Sequence, residues 1–136
     1  MIDPARSFVV IAKDDLMAAR MLAEGLPRIA AFHVQQTAEK LLKAMLTALG
    51  VEFGRHHKID LLAAQLPDDH PLSPDFRDFS RFTPYGAEHR YPSQTYAAPP
   101  APSQAELLAA LRELERLTSE VEGWLARQGR PPHIPR

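Results

Sequence analysis

Between positions 33 and 43 the sequence sets His33, Gln36, Lys40 and Lys43 at steps of three and four residues, the spacing that gathers side chains into one stripe along a helix. Two ammonium groups, an imidazole and an amide in a row are donors suited to an anion, either a phosphate-bearing ligand or a partner's acidic surface. Glu39 stands beside them, four residues after Gln35, at the margin of the apolar side of the same helix. A carboxylate buried alone there would cost on the order of several kcal/mol, so the position demands a donor.

Other chemistries are weaker. The chain has no cysteine, which removes thiol nucleophiles, disulfides and Cys-ligated metals and makes a reducing cytoplasm the expected compartment. His56 and His57 are adjacent, so their side chains diverge, and no acid or third His stands at ligand spacing; no metal is expected. Asp14 and Asp15 read as a solvated helix face paired with Lys13 or Arg20. Gly50 to Gly54 lacks the Lys-Ser/Thr of a phosphate-binding loop, and no cofactor is expected. Sixteen Lys+Arg against 17 Asp+Glu leave a net charge of -1, so any pull on nucleic acid must be local. No apolar run approaches the roughly 20 residues needed to span a bilayer.

Helices must position the stripe. The apolar residues of 31–49 (Val34, Ala38, Leu41, Leu42, Met45) recur with a period near 3.6. Comparable periodicity predicts helices near 5–24, 30–49, 58–66, 75–82 and 103–128, with no strands. The break at Gly25-Leu26-Pro27 is too short for anything but an antiparallel return of the second helix. Ser103 and Glu106 have capping-box spacing ahead of the last helix, and the prolines cluster between helices. One domain over 1–129 and a disordered tail over 130–136 are expected, with Val34, Ala38, Leu41, Met45, Leu111, Leu114, Val121 and Trp124 in the core.

Three segments occur in order: Ala30 to Ala44, containing His33, Gln35, Gln36, Glu39 and Lys40; the Arg55-His56-His57-Lys58 run leading into Leu62; and Tyr85 followed by Arg90-Tyr91-Pro92. Together they resemble the HEPN family, the higher eukaryotes and prokaryotes nucleotide-binding domain, over residues 5 to 128. The resemblance implies an all-α, up-and-down bundle of four to five helices, often a homodimer. It also implies binding of a nucleotide or RNA, and pairing with a small nucleotidyltransferase protein in a toxin–antitoxin-type pair.

Ribonuclease members of that family use an Arg followed four to six residues later by a His. Arg90 is placed most like that Arg, yet Thr95, Tyr96 and Ala97 follow it, so the general acid or base is missing. Arg28 with His33 and Arg127 with His133 meet the bare spacing, but the first pair straddles the expected start of the second helix and the other ends in a Pro-rich tail. A binding protein without catalysis is therefore expected, the alternative being a metal-independent RNA-cleaving toxin or a non-catalytic dimeric module. Arg90 is expected to pair with Glu39, since a guanidinium fork satisfies both carboxylate oxygens. The candidate ligand-binding set is thus His33, Gln36, Glu39, Lys40, Lys43 and Arg90.

Overall fold

The computed structural model describes residues 3–55, 59–78 and 100–128. Among them are five helices and no strand: α1 (Pro4–Leu22), α2 (Pro27–Ala48), α3 (Ile59–Ala63), α4 (Ser73–Asp78) and α5 (Gln104–Gln128). Arg90 and its loop, His56 to Lys58, the expected end of the fourth helix at 79–82 and the tail 130–136 lie outside the described residues.

Local chemistry sets the helix ends. Asp3 caps α1, its Oδ1 accepting from the backbone N–H of Ala5 at 3.0 Å. α2 starts three residues earlier than its apolar pattern predicts, because Pro27 needs no N–H donor partner and already has helical φ at the first position. It ends at Gly50, whose φ of 72° only glycine adopts without strain. There Val51 N–H reaches Leu46 O and Gly50 N–H reaches Thr47 O, a Schellman closure. Ser103 caps α5 as its spacing predicts, accepting from Glu106 N–H at 3.1 Å.

α2 is the central element. Thirteen of its 22 residues are buried, so it is covered on most of its circumference, with α1 returning along it as a helical hairpin and α5 and α3 packed on other sides. Alanines at 5, 12 and 19 of α1 and at 30, 31 and 38 of α2 are buried, which lets the two backbones approach closely. All eight expected core residues are buried. Ile11 and Leu61, whose spacing continues the apolar pattern of their helices, are exposed. α3 has five residues, too few to form a second apolar turn.

The α3–α4 segment is tied to α5 by two contacts. Arg116 of α5 donates to Asp75 at 2.7 Å. His70, 8% exposed, stands edge-on to Trp124 with ring centroids 5.0 Å apart, and its Nδ1 accepts from Leu72 N–H at 3.1 Å. Burial lowers the His70 pKa from its ordinary 6.5, with the charge of Asp69 opposing. Because Nδ1 accepts, the neutral form of the ring carries its proton on Nε2.

Candidate functional site

The polar residues of α2 form one connected chain of hydrogen bonds. Lys40 Nζ donates to Gln36 Oε1 at 2.7 Å, and Gln36 Nε2 donates to Gln35 Oε1 at 2.7 Å. Gln35 Nε2 then donates to Glu39 Oε1 at 3.2 Å, while Lys43 Nζ donates to Glu39 Oε2 at 3.0 Å. Each amide has its donor and acceptor ends fixed by its neighbours, so the row is orientationally ordered before any ligand arrives.

Lys43 is where sequence and structure part. Periodicity places it on the solvated stripe, but it is 7% exposed and its ammonium lies 5.6 Å from the ring centre of Phe53. Phe53 itself packs edge-on to Phe8 at 6.2 Å, so the chain after Gly50 folds back over the end of α2 and covers the lysine. Glu39, 1% exposed, has two donors among the described residues, Lys43 and Gln35, and Lys40 Nζ stands 3.7 Å from its Oε2; its expected pairing with Arg90 lies outside the described residues. One buried carboxylate faces two ammonium groups. The second of these, Lys40, retains 18% exposure of its side chain.

His33 lies one turn before Gln36 and has a partner that sequence reasoning missed. Its Nδ1 is 2.8 Å from Oδ1 of Asp15 on α1. Asp15 thus pairs with His33; the expected partners Lys13 and Arg20 bind Glu122 at 2.6 Å and Glu115 at 2.5 Å on α5 instead. The signal was in the turn: 15 and 33 stand equally far to either side of Glu24, where a short-turn hairpin makes the two helices meet. An ionised carboxylate only accepts, so Nδ1 carries the proton, and in the neutral ring Nε2 is an acceptor rather than one of the stripe's donors. Nε2 has no partner among the described residues, and the side chain is 25% exposed.

Arg28 and His33 both lie inside α2 rather than across its start. Five residues carry the chain about 140° round a helix, so the two side chains do not share a face. Among the described residues no three His, Asp or Glu side chains group closely enough to hold a metal ion, and no helix is long and apolar enough to cross a membrane.

A helical bundle built on one central polar-and-apolar helix, closed by a long capped helix, is the class this geometry defines. The sequence profile of the HEPN domain matches residues 5–124, and the chain belongs to the HEPN family. Its fold is similar to the crystal structure of an archaeal HEPN homologue, with a TM-score of 0.67 and 23% sequence identity over 91% of this chain and 99% of that one. No curated protein matches the chain significantly.

Proposed function

We propose that this HEPN protein binds a nucleotide or RNA on the outward stripe of α2 (His33, Gln36 and Lys40, with Arg90 joining them), as the partner subunit of a small nucleotidyltransferase in a cytoplasmic toxin–antitoxin-type pair. The observation that carries the reading is the charge balance on α2. Glu39 is answered by Lys43 from the buried side at 3.0 Å, which leaves the partly exposed Lys40, 3.7 Å from the same carboxylate, to meet an anion beside a pre-ordered amide. Lys43 then acts as counter-charge, and Glu39 as anchor of the row. Homodimer formation is supported by Val10, Met17 and Met21, exposed apolar residues at seven- and four-residue steps along α1.

The test is direct titration of the purified protein with single-stranded RNA and with nucleotides, comparing Lys40→Ala and Arg90→Ala. Loss of binding in a folded variant supports the reading; unchanged binding in both removes it. A second reading, a metal-independent endoribonuclease, is favoured by the Asp15–His33 pair, since an imidazole fixed through Nδ1 can take the proton of a ribose 2′-hydroxyl at Nε2. RNA cleavage in the presence of a chelator, abolished by His33→Ala, would select it.

A further inference from the structure

We propose that the turn at 67–72 together with α4 is an acid-sensitive latch: protonation of His70 releases this stretch from α5 and bares Trp124, while α1, α2 and α5 keep their packing. Among the described residues the backbone hydrogen bonds of the turn are internal, His70 N–H to Pro67 O, Ser73 N–H to His70 O and Phe76 N–H to Leu72 O. The stretch can therefore leave α5 without breaking a backbone hydrogen bond to it. α3 stays behind, since it packs on α2 whereas α4 packs on α3. Two side-chain contacts tie the stretch to α5. The Arg116–Asp75 bridge joins groups 43% and 29% exposed, and pairs that open to water hold weakly. The other is the stack of His70 on Trp124. Leu72 and Phe76 are buried as well, but burial of apolar surface does not respond to pH, and the His70 stack does.

The ring is seated for its neutral form alone. Nδ1 accepts from the N–H of Leu72, a residue itself buried, so the neutral ring has its proton on Nε2, a buried atom with no hydrogen-bond partner among the described residues. An imidazolium carries a proton on both nitrogens. At Nδ1 the new proton meets another donor, and the buried Leu72 N–H loses its acceptor; at Nε2 a charged donor has no protein oxygen to meet. Water satisfies both N–H groups at once, so protonation favours the released arrangement. Asp69, next in the chain, favours the charged ring, but desolvation outweighs it and holds the pKa below 6.5. The other charges around the stretch are engaged or solvated. Asp68 is bonded to Arg77, and Asp75, Glu113 and Glu120 are bonded to Arg116. Asp60 of α3 and Arg127, one turn beyond Trp124 on α5, are exposed.

The experiment is native-state hydrogen exchange on the full chain in low urea, at about pH 7.5 and about pH 5.5 on either side of an ordinary imidazole's pKa, with rates corrected for the intrinsic effect of pH on exchange. The amides of His70, Ser73 and Phe76 should exchange through openings that are more frequent and less dependent on urea than those exposing the amides of Leu42 in α2 and Leu114 in α5. Their opening constant should rise about tenfold from the higher pH to the lower. That factor is the linkage of one exposed imidazole of ordinary pKa binding a proton that the seated ring does not.

His70→Gln has no titrating group but keeps an oxygen that can accept from Leu72 N–H, so it should retain the local opening and lose its response to pH. The wild-type chain gives a second readout that needs no variant, the titration of the His70 ring followed by NMR. A midpoint below 6.5 supports the latch; a midpoint at or above 6.5, the result if the indole of Trp124 stabilises the cation, overturns it. The proposal is also overturned if the three amides open only together with those of Leu42 and Leu114, if their opening constant is the same at both pH values, or if the pH response survives in His70→Gln.

Discussion

Replacing Glu39 with Ala is the most demanding perturbation of the α2 network. Glu39 is 1% exposed and accepts from Lys43 Nζ at 3.0 Å, and Lys43 is itself 7% exposed and covered by Phe53. Removing the carboxylate leaves a buried ammonium without its counter-charge, which costs about 3–5 kcal/mol. For a chain of this length that is a fall in Tm of roughly 10–15 °C. Lys43→Met alone should cost less, about 1–3 kcal/mol, because Gln35 and Lys40 still face Glu39. The double variant Glu39→Leu with Lys43→Met removes both charges and fills the site with apolar atoms, so it should be more stable than Glu39→Ala. Urea unfolding of these variants together with Glu39→Leu alone closes the cycle of Glu39→Leu, Lys43→Met and their double variant. If the Glu39 and Lys43 effects simply add, the two residues are not coupled, and the account of the site's charge balance is wrong.

Four further outcomes follow from the fold. Because His70 has a lowered pKa when folded, the unfolded chain binds the extra proton first; stability should be flat above the ordinary value of 6.5 and fall as pH drops below it. Trp124 emission against pH, compared with His70→Gln, checks this: the variant should lose that slope. Ser103→Ala, which removes the α5 cap, should lower stability by about 1 kcal/mol in urea unfolding. Leu114→Ala, at a fully buried position, should cost about 2–5 kcal/mol in the same assay. Met21→Glu, at a residue 77% exposed, should leave stability within about 0.5 kcal/mol but shift light scattering toward monomer if α1 mediates self-association.

The fold was readable where one helix alone determined the outcome. The Leu107, Leu111, Leu114 repeat and the Ser103–Glu106 box give α5 its face and its start without reference to anything else. The Gly25-Leu26-Pro27 turn likewise forced an antiparallel hairpin. What escaped was pairing between elements. Lys43 carries a charge at a position that periodicity assigns to solvent, and the return of Phe53 over it, after the left-handed turn at Gly50, helps to turn that position inward. The Asp15–His33 contact needs the register of two helices, and a register is set by packing of both rather than by the spacing within either. Ile11 and Leu61 show the converse: a regular apolar pattern continues past the edge of the surface that neighbours actually cover.

The central claim is that Lys40 is the outward cation of a nucleotide-binding stripe anchored by Glu39 and Lys43. It is tested most directly by titrating adenosine 5′-monophosphate and short single-stranded RNA into wild-type and Lys40→Ala protein of equal thermal stability. The account expects the substitution to weaken binding about tenfold or more, as loss of a charge-assisted contact to phosphate does, with the loss shrinking as salt is raised. Equal affinity in the two proteins, at low and at high salt, would contradict it.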